Sequence, residues 1–400
     1  MAIRLGIVTT RRTHSPLAQA CGSMQNGLAF GTATMPRTLI GVPLIMLKKR
    51  TACAGAALVA ALALVTACST TPTSTSSTNA VATSGGGARQ KVVAFSQEGL
   101  ENDWRLANTD SVQKTLEQAG YKVLYQQADG DQARQVEQVQ NLLQQKPDIL
   151  VVEPAEQEAA TPIAKLAETA GVPLIVADRA LGVAPDAKTQ YKVLITQNWE
   201  QMGTKLGEAS VALLTKRNGT AKGNIAEIVG VLGSAPQIAM DKGFAAAIAK
   251  YPSIKIVDAQ DGTNKRAPGR QIMENYLSRF PKGQIDMVWA QNDEMGIGAL
   301  AAIKDAGRDE LVGTIVSKDG QIEAIQQVAL GNFANVCTNT PYFGPIILPY
   351  VEKILAGGAL ETTTPDKPFA CFESITDNGK ADAQKQFDEL NSAGGKFANR

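Results

Sequence analysis

Histidine is all but missing from this chain. His14 is the single one in 400 residues, and it falls in a leader that the reading below assigns to removal. A mature chain without histidine has no Ser-His-Asp or Cys-His nucleophile and no histidine-ligated zinc. Aromatic residues are sparse as well, at 5%. Neither sign of charge is in excess: 39 Lys and Arg stand against 38 Asp and Glu, a net of +1. That gives no electrostatic reason to bind nucleic acid or an anionic membrane surface. The composition argues against an enzyme and implies no cofactor or metal, although chemistry by carboxylate, lysine or metal stays open. What is present is an ordinary globular mixture, 44% hydrophobic and 19% charged, with room for two domains.

The N-terminal part reads as processing signals. Residues 1–45 carry no clear pattern and are read as an extension ahead of a true start at Met46. Lys48, Lys49 and Arg50 then form a basic region, and 54–65 an apolar run too short to span a bilayer comfortably. The run ends in Val65-Thr66-Ala67-Cys68, which resembles the bacterial lipobox, so 46–67 is expected to be a lipoprotein signal peptide and Cys68 the acylated N-terminus. Several acyl chains on one cysteine make a stable anchor. The Ser/Thr/Gly-rich stretch that follows, within 68–90, reads as a flexible tether. Of the five cysteines, Cys21 and Cys53 go with the leader. Cys337 and Cys371 remain in an oxidising compartment, either bridged or as two buried thiols.

From Lys91 the chain alternates short apolar runs with amphipathic helical stretches. "KVVAFS", "KVLYQQ", "DILVVEP", "PLIVAD" and "YKVLIT" read as strands with both faces covered. The segments between them have apolar residues three and four apart, and two of them end at glycine, Gly120 and Gly171. The pattern is repeated by "NIAEIVG", "IKIVDAQ", "DMVWA", "LVGTIVS" and "FANVCT". Two such series predict an α/β fold of two doubly wound parallel-sheet lobes. The strands' carboxyl ends meet polar residues at Ser96-Gln97, Asp178-Arg179, Asn292-Asp293, Lys318-Asp319 and Thr338-Asn339. Open α/β sheets bind ligands at those ends.

These blocks resemble the ribose-binding-like class of periplasmic sugar-binding proteins that serve ABC importers, over about residues 91–358. "FSQEGLENDWR" is most similar to the galactofuranose-binding branch, through Phe95, Ser96, Gln97, Gly99, Glu101, Trp104 and Arg105. "VADRA" supplies Asp178 and Arg179, "AQNDEM" Asn292, "SKDG" Asp319 and "TNTPYFGP" Asn339. The resemblance implies a hinge of three crossings (the type I periplasmic binding protein fold), with a first lobe of 91–195 and 340–368 and a second of 197–338 and 371–400. The crossings fall near Thr196-Gln197, Thr338-Asn339 and 369–372. It implies a monomer that captures a pentose or hexose, furanose form included, and passes it to a membrane permease. Ser96, Gln97, Glu101, Arg105, Asp178, Arg179, Asn292, Asp319 and Asn339 would read hydroxyls, with Trp104 as the aromatic plate. Asp293 and Glu294 would serve the helix that follows as cap and dipole complement. The chain departs from the pattern at Ala239-Met240 and at Asn264, which leaves the second lobe without an expected aromatic face.

Rival readings are weaker. "GIGALA" at 296–301 fits a dinucleotide fingerprint, but "QNDEM" intervenes after the strand, putting the glycines inside a helix and acids where phosphate must sit. A transcription regulator would need a DNA-binding helix pair where the signal and tether stand. A sensor domain reporting to a signalling partner would show the same binding chemistry.

Overall fold

A computed structural model describes residues 89–359, 362 and 367–398. The extension expected at 1–45, the signal peptide at 46–67, the Cys68 anchor and nearly all of the tether lie outside the described residues.

Two parallel sheets carry the architecture. The first lobe runs β1 (Val92–Gln97), α1 (Asp103–Gln118), β2 (Lys122–Gln127), α2 (Gln132–Gln144), β3 (Ile149–Glu153), α3 (Pro162–Ala170), β4 (Leu174–Asp178) and β5 (Tyr191–Thr196), with strand order β2-β1-β3-β4-β5. The second runs α4 (Trp199–Asn218), β6 (Gly223–Val229), α5 (Ala235–Ile248), β7 (Ile254–Asp261), α6 (Arg266–Arg279), β8 (Met287–Ala290), α7 (Asp293–Asp305), β9 (Ile315–Asp319), α8 (Ile322–Ala329) and β10 (Phe333–Thr338). The chain then enters α9 (Gly344–Leu355) and returns to β11 (Cys371–Glu373) and α10 (Asp377–Ser392). The second sheet has the order β11-β10-β9-β8-β6-β7, with only β11 antiparallel. The fold class expected from the βαβ alternation is borne out.

The central strands are buried on both faces, as their unbroken Val/Ile/Leu runs require; every residue of β3 and β4 is buried. β5 lies at the sheet edge and alternates buried with half-buried positions. Helix α9 belongs to the first lobe's packing: Phe343, Ile347 and Val351 share an apolar cluster with Val93, Phe95 and Val112. Cys337 and Cys371 sit opposite each other in the β10–β11 ladder and are joined as a disulfide.

Local chemistry explains most helix starts. Asn102, Asp131, Asn198, Asn292 and Thr376 each accept a first-turn backbone N–H through the side chain. Gly296 and Gly298 lie within α7, and a Cβ on Gly298 would collide with the Arg266 carbonyl of α6. Gly298 therefore serves close packing of α6 on α7, Gly296 that of α7 on Phe333 and Ile315 of the sheet, and the dinucleotide reading falls. Gly243 does the same for α5 against the Glu200 carbonyl of α4.

The C-terminal segment departs from expectation. The resemblance places it in the second lobe, yet Phe397, 1% exposed, packs into the first lobe's apolar cluster with Trp104 and Phe343. Its backbone stays with the second lobe: Gln321 and Phe397 form an antiparallel bridge, and Ala398 N–H donates to the Gly320 carbonyl at 3.0 Å. An amphipathic reading of α10 does not reach a lone Phe beyond the helix end, so the cross-lobe contact has no signal in the pattern.

Candidate functional site

In each lobe one strand is flanked by neighbours that continue in opposite directions, β1 between β2 and β3, and β6 between β7 and β8. Such switch points open a crevice at the carboxyl ends of the strands. The two crevices face each other across a narrow cavity lined from both lobes. Direct contacts join the two lobes around it. Asn102 Nδ2 donates to the Asn264 carbonyl at 3.0 Å, and Gln157 N–H donates to the Gly233 carbonyl at 2.8 Å.

The first lobe contributes a buried charge network. Arg105, 2% exposed, reaches Glu153 at 2.6 Å, Asp178 at 2.9 Å, Glu98 at 3.3 Å and Glu101 at 3.6 Å. Arg179 reaches Glu98 at 2.9 Å and Glu101 at 3.6 Å, and donates to the Ala155 carbonyl at 3.2 Å. Two guanidinium groups against four carboxylates would leave a net of −2 if all were ionised. Burial removes that excess by pushing the Glu98 carboxyl up to about 8 and raising Glu153, against the pull of the arginines. Burial would also raise Asp178, but Arg105 and Arg179 hold it below the usual range.

The second lobe answers with Gln237, Gln291, Lys318 and Asp319. Lys318 Nζ lies 2.7 Å from Asp319 Oδ1 and 5.3 Å above the Trp199 ring. Burial raises the Asp319 carboxyl despite that lysine. Gln291 is clamped: Nε2 donates to Glu227 Oε1 at 2.8 Å and to Asp241 Oδ1, while Oε1 accepts from Gly230 N–H at 3.0 Å. Burial, and then the neighbouring Asp241, push Glu227 up to about 8. Asp178 (φ 60°), Asp319 (φ 131°) and Asn264 (φ 58°) are held in left-handed backbone at the cavity wall. Such strain clusters at ligand clamps.

Of the residues singled out in the sequence, Glu101, Trp104, Arg105, Asp178, Arg179, Asp319 and Asn339 line the cavity. Trp104 Nε1 donates to the Asn339 carbonyl at 2.6 Å, and the Arg105 guanidinium stands 4.8 Å from its ring centre. Ser96 and Gln97 are buried but do not line it. Gln97 Nε2 donates to Asn108, Thr109 and Glu153, so it reaches the cavity only through Glu153 and Arg105.

Asn292 requires a correction. It does not line the cavity. Its Oδ1 caps α7 through Met295 N–H at 2.9 Å, and its Nδ2 donates to the Asn264 carbonyl at 3.0 Å. Each end of the amide is held by a bond within the second lobe. Gln291, one residue earlier, takes the cavity position. Asp293 is therefore not the cap but a buried acid bonded to Ser317 Oγ and Gln321 N–H, its carboxyl raised by burial and by Asp319. The expected lack of a second-lobe aromatic is also corrected: Trp199, at the start of α4, lines the cavity. Glu98, Glu153 and Gln291 each stand at or just past a strand's carboxyl end, so the rule that selected Ser96 and Asn292 applied to them equally.

Residues 93–358 match the model of the periplasmic binding protein domain. The chain belongs to the periplasmic binding protein family, and the resemblance noted in its motifs is borne out at that level. It is 32% identical over 282 residues to the galactofuranose-binding protein YtfQ of Escherichia coli (strain K12), covering 69% of this chain and 84% of that one. Its fold is similar to a crystal structure from Mycobacterium smegmatis in complex with beta-D-fucofuranose, with a TM-score of 0.67 and 31% identity, covering 76% and 97% of the two chains. It is also similar to the binding component of the arabinose ABC transporter from Shewanella sp. ANA-3 bound to alpha and beta-L-arabinofuranose, with a TM-score of 0.66 and 28% identity, covering 78% and 100%. These relatives are binding proteins, not enzymes.

Proposed function

We propose that this protein captures a monosaccharide, in furanose form, between its lobes outside the cytoplasm and delivers it to the permease of an ABC importer, held to the membrane by acyl chains on Cys68. The observation that carries this reading is the two-sided polar cavity. Asp178, Glu101 and Asp319 accept from hydroxyls, and Arg105, Arg179 and Lys318 donate to ring and hydroxyl oxygens. Trp104 and Trp199 offer apolar faces to C–H groups. Ligand bridging both walls favours the closed arrangement and so shifts the population toward it. The furanose-bound and galactofuranose-binding relatives support the ring form.

A thermal-shift screen of the purified protein tests this. Arabinose, galactose, fucose, ribose and polyols form the panel, with nucleosides and NAD as controls. A ligand at one hundred times its Kd stabilises by about 2.7 kcal/mol. Asp319→Asn and Arg179→Ala should each remove the shift. A response to NAD with none to any sugar overturns the reading.

A further inference from the structure

The binding cavity does not stop at Glu101. Past that side chain a second, larger space opens to solvent. Glu101 and Val231 form a shared wall, since they line both spaces. The outer space is also built from both lobes, Leu100 and Asp129 on one side and Thr263 and Lys265 on the other. It persists although Asn102 and Asn264 already tie the lobes together beside it. Closure therefore leaves this vestibule open to solvent, directly against the inner cavity.

Its chemistry is mixed in the way a sugar ring requires. Leu100, 39% exposed, and Val231 give an apolar surface for C–H groups. Asp129, Thr263 and Lys265 bring an acceptor, a hydroxyl and a donor from opposite rims. Asp129 (φ 55°) and Thr263 (φ 52°) both sit in left-handed backbone, so each rim is shaped at a conformational cost. Gly99 keeps the floor bare; a Cβ there would stand 3.2 Å from Gly130 N and 3.3 Å from Glu101 Oε2.

We infer that the cleft takes a glycoside as well as a free sugar, with one ring enclosed in the inner cavity and a second glycosyl unit lying in the vestibule across Glu101 and Val231. This rests on the sugar-binding reading above and extends it to the class of furanose-containing disaccharides.

Titration calorimetry of the full-length protein tests it, with free L-arabinose and D-galactose beside 1,5-linked arabinofuranobiose and a digalactofuranoside. The disaccharide of whichever free sugar binds is expected to bind about tenfold more tightly. Leu100→Trp, which fills the vestibule without touching the inner cavity, should cancel that gain and leave the free sugar's Kd unchanged. A free sugar that binds while its disaccharide is excluded overturns the inference and leaves the monosaccharide reading standing. So do equal affinities that Leu100→Trp does not alter. If neither binds, the sugar-binding reading fails and takes this one with it.

Discussion

Arg105 shows how much one side chain does for the first lobe's wall. It links the strand-end acids Glu153 and Asp178 to the loop acids Glu98 and Glu101, at positions far apart in the chain. Protons held by the surplus acids make stability depend on pH. Glu98 and Glu227 each rise from an ordinary 4.5 to about 8 because burial disfavours their charge. Between those values the folded protein keeps protons that the unfolded chain has released. The stability these groups contribute should therefore be full below about pH 4.5 and be lost as pH rises to about 8. Urea midpoints across that range measure it, and Glu98→Gln should flatten the slope; an unaltered slope contradicts the assignment. Asn292 gives a second test at this scale. As a cap it should cost about 1 kcal/mol when changed to alanine, with sugar affinity nearly retained, whereas Asp319→Asn should abolish binding. Loss of binding in Asn292→Ala at unchanged stability would return Asn292 to the role first expected of it.

Among the elements, the C-terminal tail has the most to lose from a single change. Its backbone is hydrogen-bonded to residues 320–322, next to Asp319, while the Phe397 ring is packed beside Trp104 in the other lobe. Phe397→Ala should cost about 3–5 kcal/mol, the usual range for a buried Phe, and Phe397→Leu distinctly less. Because the contact spans the cleft, the alanine variant should also have a larger radius of gyration without sugar, as measured by small-angle scattering. A destabilised variant with an unaltered radius would show that the ring supports the first lobe alone.

The described residues form two sheets joined by crossings, and the disulfide binds two of the crossing segments together. Cys337 and Cys371 are 34 residues apart, and the loop between them runs through α9 in the first lobe before returning to the second. Closing a loop of that length in the unfolded chain is worth about 3–4 kcal/mol. The double variant Cys337→Ala/Cys371→Ala should lose that much in chemical denaturation and become insensitive to reductant. A smaller loss, with reductant sensitivity still abolished, would mean that the loop is already constrained in the unfolded ensemble.

Element identity was readable because it depends on near neighbours. Unbroken β-branched runs such as "ILVVE" have only one good use, a strand covered on both faces, and Asn, Asp and Gly mark the helix ends by local backbone chemistry. Most cavity residues could be found by the same means, since they follow strand ends. What stayed hidden depended on direction and distance. Gln291 and Asn292 are adjacent and chemically alike, and only the turn into α7 sends one amide into the cavity and spends the other on a cap. Trp199 becomes a wall of the site because α4 starts just past a crossing, and Phe397 reaches across lobes from beyond the last helix. Periodicity carries information over a turn or a strand, whereas contacts between lobes are set by how two independently wound sheets come to rest against each other.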